Sequence, residues 1–202
     1  MSESSQKFDQ ELHSLLVVMA NEGIHNAAKG MSDMVGESLS VDQPLVKRVP
    51  IREIPNLLGG PEAEAVGIYL RVEGQIGGQM MLVVPYAKAL ELVDLMMNVP
   101  VGTTQNLGAI ERSALQEMGN LTGSFFLNAV AATTGLNARP SPPAVMVDMI
   151  GAIIDIILAT SDNLSETVLM LQAKFLRNGR EAEVDFWIIP DRNTIENMVK
   201  GE

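Results

Sequence analysis

Two octads decide how this chain is read: SLLVVMAN at residues 14–21 and SALQEMGN at residues 113–120. Ser14, Leu16, Met19 and Asn21 recur 99 residues later as Ser113, Leu115, Met118 and Asn120. Without a gap, the same shift carries Gly36 onto Gly135, Pro44 onto Pro143 and Val46 onto Val145. Farther on, Val83-Val84-Pro85 is echoed by Ile188-Ile189-Pro190 at a shift of 105, which implies a short insertion between. Agreement in identity, spacing and order predicts an internal duplication: one domain over residues 1–202, built from half-repeats of about 8–98 and 107–200.

Each half carries the same succession of signals. After a polar leader of about seven residues, Phe8 to Val35 places Leu12, Leu15, Leu16 and Met19 at helical spacing. Val41 to Ile54 reads as extended, interrupted by Pro44 and Pro50. Val66 to Val72 and Gln79 to Val84 read as strands joined through Gly74 and Gly77-Gly78, and Pro85 stands where a helix over Ala87 to Met97 would start. In the second half, Leu107 to Thr134 reads as a long helix with Ile110, Ala114, Met118, Leu121 and Phe125 on its apolar face. Prolines 140, 142 and 143 precede an apolar run, Ala144 to Ala159, read as a largely buried helix. Thr167 to Leu176 and Glu183 to Ile189 read as strands about an Asn178-Gly179 turn, with Asn193 to Val199 as a short closing helix. The predicted fold is α/β of the α+β kind: a pseudo-twofold antiparallel or mixed sheet with the two long helices packed on one face.

Composition excludes several functions. With 202 residues, 47% of them apolar and 19% charged, the chain can bury a full core without staples. It has no cysteine, which excludes disulfides, thiolate metal sites and a cysteine nucleophile and fits a cytoplasmic location. A net charge of −11 with no basic stripe argues against nucleic acid as a partner. The leader MSESSQKFDQ lacks the basic and apolar regions of a signal peptide. The run from Ala144 to Ala159, with Asp148 and Asp155 in it, is too short and too charged to span a membrane. His13 and His25 have no neighbours at ligand spacing, so no metal site is expected. The glycines near 74–78 precede a strand, whereas a phosphate loop needs a helix there. Most of the thirteen methionines read as core filler, the pair Met96-Met97 being a candidate interface patch.

The polar residues of the second octad carry the chemistry. Ser113, Glu117 and Asn120 stand at i, i+4 and i+7 and share one helical face. Gly119 and Gly123 each cost about 1 kcal/mol of helix propensity relative to alanine, and their missing side chains let another backbone approach. A lone Glu and Asn on a helix are ordinarily a solvated face. Together with Pro142-Pro143, the Gly-Gly before Met80-Met81-Leu82 and the duplicated layout, however, they resemble the CheC/CheX/FliY family of CheY-phosphate phosphatases, CheC in particular. The family pattern is Asp or Ser, then Glu four residues on and Asn three beyond it, followed later by a proline.

The resemblance implies that the chain hydrolyses the phospho-aspartate of a CheY-like receiver. Asn120 would orient the attacking water, since a carboxamide both donates and accepts hydrogen bonds. Glu117 would pair with the partner's active-site lysine, while Ser113 and Pro143 support the motif. The magnesium ion would sit on the receiver, leaving no cofactor or metal on this chain, and CheD is a further partner that the resemblance implies. The first octad departs from the pattern. Ser14 and Asn21 are in place, but Val18 occupies the acidic position, and Glu22, directly after Asn21, is turned about a third of a turn from that asparagine. The first site is therefore expected to be degenerate. Two other readings stay open: an adaptor that binds CheD or a receiver with little catalysis, and a flagellar switch component resembling FliY or FliM. The last ranks third because those members carry an additional C-terminal domain.

Overall fold

Residues 45–50 and 144–149 form strands that find no partner within their own half, and this interlocks the two halves. The computed structural model describes residues 3–42, 45–159, 167–177 and 179–190. Its strands are β1 (Ser40–Val41), β2 (Leu45–Pro50), β3 (Glu64–Gly74), β4 (Gly78–Pro85), β5 (Ala138–Pro140), β6 (Ala144–Met149), β7 (Thr167–Arg177) and β8 (Arg180–Pro190). Its helices are α1 (Glu3–Val35), α2 (Ile54–Leu57), α3 (Tyr86–Met96), α4 (Ala109–Thr134) and α5 (Ile150–Ala159). The eight-stranded sheet runs β1-β7-β8-β4-β3-β5, with β2 also on β7 and β6 also on β3. Every pairing is antiparallel, which settles the expected sheet type.

The order reads alike from either edge. β2 from the first half lies on β7, just as β6 from the second lies on β3, and the hairpins meet at a β4–β8 seam running from Gly78↔Pro190 to Val83↔Asp185. The β7–β8 turn is tight, with Arg177 opposite Arg180 and Gly179 at φ +75°.

Strand alternation sorts side chains into two apolar layers. On one side Met80, Leu82 and Val84 of β4 and Ile68 and Leu70 of β3 meet Met19, Ile24 and Met31 of α1, Leu92 of α3 and Met118 and Phe126 of α4. On the other, Met81, Val83, Met170 and Trp187 meet Ile51, Ile54, Ile153 and Ile154. Both long helices thus pack on one face, as expected, and contact each other closely. They run antiparallel, with Gly23 beside Phe126 and Gly30 beside Leu121 and Phe125. A Cβ on Gly23 would lie 2.8 Å from the Phe126 Cα, so the helix crossing depends on its absence.

Several expectations need correction. α1 begins at Glu3 rather than Phe8; the leader holds no glycine or proline, and a nucleated helix propagates through polar residues at little cost. Residues 51–57 are helical, not extended: a 3-10 turn, Ile51–Glu53, runs into α2, where Pro55 occupies an opening helical position. The run from Ala144 to Ala159 is not one buried helix. Its first part pairs with β3 from Glu64↔Met149 to Tyr69↔Ala144. Only from Ile150 is it helical, because the carbonyls of Ala63 and Pro61 accept the opening N–H groups of Ile150 and Gly151. Nor is α5 enclosed, since Ile156 and Leu158 are exposed. The buried face of α4 is also rotated from the expected one: it comprises Leu115, Met118, Thr122, Phe126 and Val130, whereas Ile110 is 67% exposed. The expected helix at Asn193 to Val199, and Pro44, lie outside the described residues.

The segment joining the halves is held by a buried acid. Asp94, at 0% exposure, accepts the backbone N–H groups of Gly102 at 2.7 Å and Thr104 at 2.8 Å. Burial alone would raise its carboxyl, but hydrogen bonds from Thr104, Gly102 and Thr103 outweigh that and hold it below the usual carboxylate range. Asn98 (φ +57°) ties the same segment to the end of α1 through Glu37 Oε1 at 2.8 Å.

Candidate functional site

Packing decides which side of α4 reaches solvent. Gly119 sits against the sheet, where an added Cβ would lie 2.6 Å from Ile68 Cγ2, and Leu115, Met118 and Thr122 are buried beside it. With that face fixed, helical geometry turns Ser113, Glu117 and Asn120 outward together. Ser113 and Glu117 are exposed and Asn120 is half-buried. Among the described residues, neither the Glu117 carboxylate nor the Asn120 carboxamide has a hydrogen bond or ion pair within the chain. Both polar ends therefore face outward with their bonding capacity unspent.

The floor of the strip is completed from the β5–β6 connection. Gln116 Nε2 donates to the Pro143 carbonyl at 3.3 Å, and Pro143, half-buried, borders the space above Gly119. The connection is held to β3 by Ser141 N donating to the Arg71 carbonyl at 2.8 Å, while Arg71 N donates to Ser141 Oγ at 2.9 Å. The sequence reading missed Gln116 and Ser141, since both contacts join residues far apart along the chain. Proline spacing was the one available signal.

The first strip has the same placement and different chemistry. Ser14 is exposed, Val18 is 48% exposed and Asn21 is half-buried. The Asn21 Nδ2 donates to the Val17 carbonyl at 2.8 Å, and His25 Nδ1 donates to the Asn21 carbonyl at 2.7 Å. Asn21 is thus tied to its own helix, and His25 is exposed rather than held among ligands. Because α1 and α4 are antiparallel, the two strips lie toward opposite ends of the helix pair, their centres about 20 Å apart along its axis.

The remaining candidates separate. Met80 and Met81 are core residues; Met96 is buried and only Met97 is exposed, so the proposed pair does not form a patch. The His13 side chain lies outside what the structure describes. No group of three or more His, Asp or Glu among the described residues could hold a metal ion. No described helix is long and apolar enough to cross a membrane. An open groove of about 710 Å³ lies at the far end of α1, lined by His25, Lys29, Ser32, Asp33 and Leu39 among others, and includes neither Glu117 nor Asn120.

The architecture is an antiparallel sheet with two paired long helices on one face, and the Ser113-Glu117-Asn120 strip lies on one of them beside Pro143. The CheC-like family matches residues 110–147, the segment from the start of α4 to β6 that contains the strip and Pro143. Over that segment the chain matches the CheC-like family, in line with the resemblance read from its sequence. It is 25% identical over 193 residues to the CheY-P phosphatase CheC of Bacillus subtilis (strain 168), covering 94% of this chain and 92% of that protein. Thermotoga maritima FliY superposes with a TM-score of 0.77 at 18% identity, covering 95% of each chain. The FliM middle domain from H. pylori gives 0.64 at 11% identity, covering 100% of each. At those identities the two structures speak for the fold alone.

Proposed function

We propose that this chain is a phosphatase for a phosphorylated CheY-like receiver, working through one site on α4. The observation that carries the reading is the outward presentation of Glu117 and Asn120, one helical turn apart, with neither side chain engaged elsewhere among the described residues. An acyl phosphate is lost to water when a water molecule is held in line with the phosphorus while charge on the phosphoryl oxygens is neutralised. The receiver supplies its own lysine and magnesium ion, so this chain contributes no cofactor. Asn120 holds the water by donating to its oxygen or accepting one of its protons, which converts an encounter into an aligned attack. Glu117 pairs with the receiver's lysine and fixes α4 across the phosphorylated pocket. Gly119 lets α4 lie close on the sheet beside Pro143, which holds both side chains at a fixed height. The name of the B. subtilis relative supports the same substrate.

The strip on α1 is not part of this site: Val18 cannot pair with a lysine, and Asn21 commits one of its two amide donors to its own helix. The two half-repeats, about 8–98 and 107–200, are thus proposed to share an ancestry while only the second hydrolyses. The test is decay of phosphorylated CheY with the natural chain, Asn120→Ala and Glu117→Ala. Acceleration by the natural chain that Asn120→Ala abolishes supports the reading. Tight receiver binding without acceleration would instead identify an adaptor, and a CheD pull-down asks whether that partner is shared.

A further inference from the structure

Two glycines of α4 face two prolines of the segment that links β5 to β6. A Cβ added at Gly123 would lie 3.6 Å from Pro140 Cβ, and one added at Gly119 would lie 3.5 Å from Pro143 Cβ. The glycines are one helical turn apart and the prolines three residues apart, so 140–143 runs along α4 as a rail, passing the residue just before Asn120. Such a rail has few means of attachment. Pro142 and Pro143 carry no backbone N–H, which leaves their carbonyls, their packing and Ser141 to hold it. Ser141 fastens the β3 side through Arg71. On the α4 side, Gln116 Nε2 donates to the Pro143 carbonyl at 3.3 Å. Gln116 precedes Glu117 and lies one helical turn before both Gly119 and Asn120. The first half carries none of these residues. Under the 99-residue shift, Gln116, Gly119 and Gly123 become Val17, Ala20 and Ile24. Ala20 and Ile24 are buried side chains that fill the positions the glycines leave open, and a valine has nothing to donate.

We propose that Gln116 is a positioning residue: its amide latches the proline rail down onto α4 and so sets the rim over which a phosphorylated receiver reaches Asn120. This rests on the functional reading above. Because the rail borders the strip, a receiver closing on Glu117 and Asn120 meets Pro143 as well. With the rail down, the phosphorus comes within reach of the water that Asn120 holds. With the rail lifted, the receiver still finds Glu117 but stands off the carboxamide. Gln116 touches neither the phosphoryl group nor the water, and acts only through Pro143. Its loss therefore falls on kcat rather than KM, in proportion to the share of molecules whose rail is down.

Initial rates of phosphate release against the concentration of phosphorylated CheY give the first test. Gln116→Met removes the donor at nearly the same length, and Gln116→Arg keeps one; both residues favour helix about as well as glutamine does. Gln116→Met is expected to lower kcat about fivefold, the scale of one neutral hydrogen bond, with KM within about twofold. Gln116→Arg is expected to keep kcat within about twofold. Equal losses in the two variants, or a natural kcat in Gln116→Met while Asn120→Ala abolishes activity, overturn the inference and spare the reading beneath it. A raised KM at natural kcat also overturns it, since Gln116 would then be a docking contact. A natural chain that fails to accelerate the decay removes both. Hydrogen exchange reads the latch without any substrate. The Ala144 amide, the first beyond the two prolines, should exchange about fivefold faster in Gln116→Met and at the natural rate in Gln116→Arg. Unchanged exchange in Gln116→Met overturns the latch.

Discussion

The strips on α1 and α4 sit on helices of the same fold, against the same face of one sheet, and bear a serine and an asparagine at matching positions. They differ in what the intervening side chains do. On α4 the acid is present and the asparagine has no partner among the described residues; on α1 a valine replaces the acid and the asparagine bonds to the Val17 carbonyl. Both helices keep their packing residues because losing them unfolds the protein. Their exposed residues are free to diverge, since a surface substitution away from such contacts usually changes stability by only about 0.5 kcal/mol.

The sharpest test of that contrast is a pair of equal truncations. Asn120→Ala should lower the rate of CheY-P decay by about 100-fold through loss of water alignment, whereas Asn21→Ala should leave it near the natural value. A larger effect from Asn21→Ala would reverse the assignment of the halves. The contact between the two strip-bearing helices comes next. Gly23→Ala puts a methyl 2.8 Å from a backbone atom of α4. It should cost about 2 kcal/mol and lower Tm by about 5 °C in a calorimetric scan, because backbone cannot swing aside as a side-chain tip can.

The acid that fastens the segment between the halves should show a pH signature. The folded-state pKa of Asp94 is lowered, so its contribution is fully present above the unfolded carboxylate value and is lost as pH falls through the folded one. Asp94→Asn should therefore lose about 1–2 kcal/mol in urea titrations at neutral pH, and the gap to the natural protein should narrow on acidification. A constant gap would mean that the cost is not the charge. The smallest effect is expected at Glu117, the proposed docking acid. Glu117→Ala should raise KM about tenfold at low salt, an effect that added salt diminishes because screening weakens the natural pair first.

The sequence and the structure divide unevenly over particular elements. The α3 helix and the β3–β4 hairpin were legible because their periodicity and bounding glycines and prolines agree. The 144–159 run was not, since an unbroken apolar stretch has no period to distinguish strand from helix. What split it was β3 taking up residues 144–149 and the 61–63 loop accepting the N–H groups of Ile150 and Gly151. The rotation of the α4 face was hidden for a related reason. Ile110, Leu121 and Phe125 satisfy an apolar pattern as well as Leu115 and Thr122 do, and only the position of α1 and the sheet decides between them.

What the chain's own letters determined was the recurrence of Ser, Leu, Met and Asn between the two octads, the helical spacing of Ser113, Glu117 and Asn120, and the valine at position 18, because local periodicity and identity need no distant partner. What only tertiary structure decided was the exchange of edge strands between halves and the seating of Gly119 on Ile68 beside Pro143. Those contacts join residues tens of positions apart, and no local propensity encodes which of several apolar surfaces a helix will bury.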